Sequence, residues 1–234
     1  TIRHLLTQTA PWKYRSEPFT KVYTSPDWTR AALDLLGGRA GLTGEFRYST
    51  VGLQALAGLL ARAVGTTTLD FANRFLFAPL GIAPRANADF RTREENAAFL
   101  LGKTAKGAVW RVDPLGVNTA GWGLCLSARE LAKIGRMCAR GGVSGGTRVV
   151  SEGWLRESTR PYTRHGEEFG NMGYGFLWWI VDEDAGCYAA VGDGGNVLYV
   201  RPDAGVVIAA TATFKPRVFD RVAFLRERVE PLLR

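Results

Sequence analysis

Few side chains in this sequence are spaced for nucleophilic chemistry. Gly142-Val143-Ser144-Gly145-Gly146 has the G-x-S-x-G form of a nucleophile elbow, which lifts a serine on a sharp turn between a strand and the helix after it. Here a helical pattern precedes and Thr147-Arg148-Val149-Val150 follows, so the flanks are inverted and the motif reads as a surface loop. Thr1 could attack with its own amine as base, but that chemistry needs a two-sheet sandwich starting at the residue, and Thr1 opens a helical stretch. His4 and His165 lie far apart and read as structural or surface residues; a Ser-His-Asp triad or a zinc site needs more partners. Cys125, Cys138 and Cys187 form no C-x-x-C and sit among apolar neighbours. They read as buried free thiols, which favours a reducing, cytoplasmic setting.

Two more stretches carry usable groups. Tyr48-Ser49-Thr50 stands at the mouth of an apolar-periodic helix; taken alone, Tyr48 is an amphipathic ring laid on a core. Gly192-Asp193-Gly194-Gly195-Asn196 separates two β-rich runs and taken alone is a hairpin turn. Trp122, Trp178 and Trp179 read either as core or as the lining of a cleft.

The elements that must position these groups follow from periodicity. A short apolar turn covers residues 2–7. Ser25-Pro26-Asp27 opens a helix to about Leu36, with Pro26 suited to its first turn, and Gly37-Gly38 stops it. Leu53, Leu56, Ala57, Leu60, Ala61 and Val64 recur at helical spacing until Gly65. Helices are expected over 69–77, closed by Pro79-Leu80-Gly81, and over 93–101. Ser127-Ala128-Arg129-Glu130 has the Ser-x-x-Glu form of a capping box, and its helix runs to Gly141-Gly142; a shorter one spans 151–158. After Tyr174 the pattern changes to β-branched and aromatic runs at 174–181, 187–191, 196–201 and 205–212, spaced as hairpins. An amphipathic helix over 217–232, apolar at Val218, Val222, Leu225 and Val229, closes the chain and is expected to cover that sheet. The arrangement is α+β, a mostly helical region at 1–173 followed by an antiparallel sheet with a C-terminal helix at 174–234.

The 234 residues are 46% hydrophobic and 22% charged, ordinary for one large or two small globular domains. No run of about 18 apolar residues exists to span a membrane. The formal charge of +8 comes from scattered residues, mostly Arg; this fits a solvated surface, not nucleic-acid binding. The sequence starts at Thr1, not Met, which is read as loss of an initiator, a leader or a longer segment.

Several stretches in order, covering nearly the whole chain, resemble the class C β-lactamase-like serine hydrolases and penicillin-binding proteins. Thr1-Ile2-Arg3-His4-Leu5-Leu6-Thr7-Gln8-Thr9 is similar to their IRHLLTxTS helix, and Phe46-Arg47-Tyr48-Ser49-Thr50 to their YSN segment. Phe75-Leu76-Phe77-Ala78-Pro79-Leu80-Gly81-Ile82 resembles IFxPLGM, and Asn118-Thr119-Ala120-Gly121-Trp122-Gly123-Leu124 with Ser127-Ala128-Arg129-Glu130-Leu131-Ala132 resembles AGGLxSTAxDLAxF. Tyr174-Gly175-Phe176-Leu177-Trp178-Trp179 and Gly192-Asp193-Gly194-Gly195-Asn196 complete the set.

The resemblance implies a β-lactamase/transpeptidase-like fold and acyl transfer to water on an ester, amide or peptide-like small molecule, with no metal or organic cofactor. Such chemistry uses a Ser-x-x-Lys nucleophile, a tyrosine proton relay and a strand edge that offers oxyanion donors. Tyr48 would be the relay. Thr50 stands where the family has Asn, and loses the amide that would hold a β-lactam. Gly192, Asp193, Gly194, Gly195 and Asn196 would form the substrate-binding strand edge, with Gly195 N–H as the oxyanion donor. That edge has no Lys, His or Thr, and Asp193 would repel a carboxylate, which points toward esterase and amide-hydrolase branches. No serine here has lysine three residues on. The expectation is therefore a chain without the N-terminal strands and nucleophile helix, inactive alone, and prone to self-association or to pairing with that segment. The open alternatives are a non-catalytic binding or scaffold member of the fold, and complementation by a separate chain.

Overall fold

The computed structural model describes residues 1–38, 41–90, 92–100, 107–192, 194–212 and 219–233. By compactness the chain divides into two units, residues 1–77 with 83–125, and residues 78–82 with 126–234.

The first unit is mainly helical. Its elements are α1 (Ile2–Leu6), α2 (Phe19–Tyr23), α3 (Trp28–Leu33), α4 (Thr50–Val64), α5 (Thr68–Ala72) and α6 (Arg93–Leu100), with a short parallel pair, β1 (Ala86–Ala88) and β2 (Val109–Arg111). The helix expected from Pro26 begins two residues later, because Asp27 stays extended and its carboxylate takes the Arg30 N–H at 2.8 Å. It also ends early: Lys13 N–H donates to Leu35 O and Leu36 bridges Trp12, so residues 35–36 are spent on an extended contact. α4 is capped by Ser49, whose hydroxyl accepts the Gly52 N–H at 2.8 Å, and is stopped by Gly65 at φ 65°. Its first two turns are buried nearly all round, while Leu60, which shares the helical spacing of the apolar residues, is exposed. Leu5, Trp12, Val22, Trp28, Ala32, Val51 and Ala55 form the core, with Trp122 packed against it. α5 widens into a π turn over Asn73–Phe77. Leu101, the expected end of α6, lies outside the described residues.

The second unit holds α7 (Ala128–Ala139), the hairpin β3 (Val143–Ser144) and β4 (Thr147–Arg148), α8 (Glu152–Ser158), and the strands β5 (Thr163–Arg164), β6 (Gly173–Tyr174), β7 (Trp179–Asp182), β8 (Cys187–Gly192), β9 (Asn196–Arg201) and β10 (Val206–Ala210). α9 (Phe219–Phe224) follows, widens into a π turn over Leu225–Val229 and then tightens into a 3-10 turn over Glu230–Leu233; Arg217 and Val218, where that helix was expected to start, lie outside the described residues. β5 to β10 form one antiparallel meander in the order β10-β9-β8-β7-β6-β5. The single strand expected over 174–181 is two paired strands. Leu177 turns the chain at φ 63° and the Gly175 N–H closes on Trp178 O at 2.8 Å.

Val197, Leu198, Tyr199 and Val200 of β9 are all buried, as befits a strand covered on both faces. α7 packs on β9 and β10, its start locked by the reciprocal Ser127–Glu130 capping box. At the C-terminal turn, the buried Glu230 carboxylate accepts the Tyr199 hydroxyl and Arg201 Nη1, each at 2.5 Å. The fold is α+β, helices with an antiparallel sheet. Among the described residues no helix is long and apolar enough to cross a membrane.

Candidate functional site

The mouth of α4 is held by residues that carry no periodic signal. Gln8 is buried, with its backbone in the left-handed region at φ 58°, a conformation costly for a side-chain-bearing residue. Its carbonyl accepts the Arg47 N–H at 2.7 Å and its side-chain oxygen accepts the Ser49 N–H at 2.9 Å. Tyr48 lies between those two anchored residues. It is exposed, and its ring is 6.5 Å from that of Phe46.

Behind Tyr48 the capping hydroxyl of Ser49, fully buried, meets the Tyr14 phenol at 2.5 Å. Burial pushes the Tyr14 hydroxyl up to about 12, against the lowering effect of the Ser49 hydrogen bond and with Glu17 raising it further. Tyr14 is therefore a neutral hydroxyl at any physiological pH. Glu17 Oε1 accepts the Val51 N–H at 3.2 Å, an anion on the first turn of α4 where the helix dipole favours it. Arg47 lies over the Tyr14 ring at 4.9 Å. Thr50, the first residue of α4, is half-buried, and its methyl lies 2.7 Å from where a Cβ on Gly121 would be, so that neighbour must be glycine.

The 192–196 turn closes the β8–β9 hairpin in the second unit. Gly192 and Asn196 are the last ladder pair, and Gly194 and Gly195 sit at φ 88° and 89°, a region open to glycine at little cost. Asp193 lies outside the described residues. The Gly195 N–H donates to Gly192 O at 3.1 Å, so an oxyanion could use that donor only by sharing or displacing this bond. Asn196 spends its side-chain oxygen on the Ala212 N–H at 3.1 Å, tying the turn to the chain after β10. Arg221 Nη1 donates to Gly195 O at 3.0 Å.

The other candidates fall into structural places. Ser144 lies in the β3–β4 hairpin, not between a strand and a helix. Trp122 stacks on Trp28 at 6.2 Å and meets Tyr23 edge-on at 5.4 Å. Trp179 is buried against Tyr174 and Phe169, and the half-buried Trp178 packs on Tyr188. Gln8, Tyr14, Glu17 and Arg221 were not legible as site residues. Only Gln8 falls in a motif, at a position where the motif leaves the residue type open.

A family model described as Beta-lactamase matches residues 1–229. The 6-aminohexanoate-dimer hydrolase of Paenarthrobacter ureafaciens is 28% identical over 214 residues, covering 88% of this chain and 47% of that protein. The chain thus spans about half the length of the curated relative it matches. Two solved structures share the fold. One is a penicillin binding protein from Bacillus halodurans (TM-score 0.66, 17% identity, 97% of this chain and 73% of that one). The other is the octameric penicillin-binding protein homologue from Pyrococcus abyssi (TM-score 0.64, 18% identity, 100% of this chain and 55% of that one).

Proposed function

The chain belongs to the Beta-lactamase family, and on that footing we propose that it carries the proton-relay and oxyanion-side parts of a serine hydrolase acting on an ester or amide. The observation that carries the reading is the clamp on Tyr48: an exposed phenol whose two chain neighbours are fixed by hydrogen bonds to the strained, buried Gln8. Such fixing is what a proton shuttle needs, since acid–base transfer depends on hydrogen-bond reach.

In the proposed cycle Tyr48 acts as a phenolate favoured by the neighbouring lysine ammonium, and accepts the serine proton while the serine oxygen bonds to the substrate carbonyl carbon. The carbonyl oxygen becomes an oxyanion, held by backbone donors of the 192–196 turn. The C–N or C–O bond then breaks, and Tyr48 returns the proton to the departing amine or alcohol. Water attacks the acyl-enzyme in the same way, releasing the acid and the free serine. The serine and its lysine are supplied from outside these 234 residues under this proposal, because no Ser-x-x-Lys occurs among them; this chain alone then forms no acyl-enzyme.

Thr50 in place of Asn, and a turn without Lys, His or Thr, weigh against penicillins. The relative named for hydrolysis of a 6-aminohexanoate dimer supports a linear amide as substrate class.

Intact-mass analysis after exposure to a fluorophosphonate tests the reading. The chain alone is expected to stay unmodified, and a stoichiometric adduct would overturn its inactivity. A form that includes a Ser-x-x-Lys is expected to label, with Tyr48→Phe slowing ester or amide turnover by roughly 10²–10⁴-fold; an unchanged rate removes Tyr48 from the chemistry. The lack of a Ser-x-x-Lys also favours a second reading, a non-catalytic scaffold, and the coding sequence before Thr1 discriminates. An in-frame Ser-x-x-Lys supports the enzyme; without one, labelling restored by a separate chain marks complementation, and none marks the scaffold.

A further inference from the structure

Arg221, on α9, reaches the hairpin turn between β8 and β9, where its guanidinium donates to the Gly195 carbonyl at 3.0 Å. The contact is closer than a single hydrogen bond requires. A Cβ on residue 195 would lie 2.2 Å from Arg221 Cζ and 2.4 Å from Nη1, so the guanidinium fills the space that any side chain there would need. Gly195 is required for its φ of 89°, and a side chain there would also push the guanidinium off the turn.

We propose that Arg221 is a positioning residue for the Gly194–Asn196 side of the turn, setting the direction of the Gly195 and Asn196 backbone donors; this rests on the acyl-transfer reading of that turn. A carbonyl and the following N–H share one rigid peptide plane. Holding Gly195 O therefore fixes the plane that carries the Asn196 N–H. The plane before it is held by the Gly195 N–H on Gly192 O. Two consecutive glycines would otherwise let these planes rotate at little cost, and donors aimed at a developing oxyanion stabilise it only when they do not have to reorganise. The guanidinium comes from another element and ties the turn to the C-terminal helix, adding to the Gly192–Asn196 ladder pair and the Asn196–Ala212 bond. A planar, permanently charged fork suits this role better than an ammonium.

Amide hydrogen exchange on ¹⁵N-labelled protein tests this in Arg221→Ala and Arg221→Lys. In Arg221→Ala the Gly195 and Asn196 amides are expected to exchange about tenfold or more faster, the scale of one charge-assisted hydrogen bond, while Val191 and Tyr199 exchange as before. Millimolar methylguanidine is expected to restore much of the protection, and Arg221→Lys to fall between. Wild-type exchange at Gly195 and Asn196 in a folded Arg221→Ala would overturn the proposal. If that variant does not fold, Arg221→Lys decides, and wild-type exchange there overturns it equally. In a form that turns over an activated ester, Arg221→Lys is expected to lower kcat with KM unchanged; a KM effect alone would overturn the positioning role. A form that includes a Ser-x-x-Lys and still never labels with fluorophosphonate would instead sink the hydrolase reading, leaving the exchange result to speak for the turn.

Discussion

Gln8 accepts the N–H of Ser49 on its side-chain oxygen at 2.9 Å, across 41 residues of sequence, while its own backbone sits at φ 58°. A left-handed, buried, non-glycine residue is a strained one, and the strain is spent on aiming both its acceptors at the entry to α4. Replacing Gln8 by Ala leaves the buried Ser49 N–H without its partner, which costs about 1–3 kcal/mol. Urea unfolding is expected to show a lower midpoint at unchanged slope. Full retention of stability would mean that the clamp on Tyr48 is dispensable.

Asp113 gives the first unit a pH dependence of unusual sign. Its carboxylate is buried and accepts Leu115 and Val117 N–H groups at 2.9 and 2.8 Å. Burial nevertheless raises its pKa above the ordinary carboxylate value, with Asp27 adding to the rise. An acid with a raised folded pKa favours folding most when protonated, and that contribution is lost as pH climbs from about 4 through the raised value. Asp113→Asn, which keeps an acceptor without the charge, is expected to flatten this part of the stability–pH curve. The same slope in the variant would exclude Asp113 as its source.

The thiols should separate by reactivity. Burial pushes Cys187 up to about 12 and Cys138 up to about 11, so neither offers thiolate near neutral pH. Cys125 is half-buried. Ellman's reagent at pH 8 is expected to find at most one fast thiol in the native protein and three after denaturation. Three fast thiols in the native state would contradict the burial.

The meander ends at β10, whose outer edge has no further strand among the described residues. An open strand edge is a template for pairing, and the chain is expected to self-associate through it. Light scattering that finds a clean monomer at high concentration would count against this.

Element identity and the two motif-bearing stretches were legible because they rest on short-range physics. Ser49 and Ser127 announce helix starts by their own hydroxyls, the apolar spacing after Leu53 announces α4, and β-branched runs separated by glycine announce β8 to β10. The family resemblance followed from the order of such stretches. Where reading failed, a distant partner had decided the matter. Leu60 is exposed although its spacing is right, since burial depends on what packs opposite. The 174–181 run splits because Leu177 accepts a positive φ that its type argues against. Gln8, Tyr14 and Arg221 act through partners 41, 35 and 26 residues away, and nothing in their types or spacing marks such pairs. Local propensity and periodicity belong to the sequence alone; the choice of which acceptor meets which donor belongs to the folded chain, because only tertiary packing brings them within hydrogen-bond range.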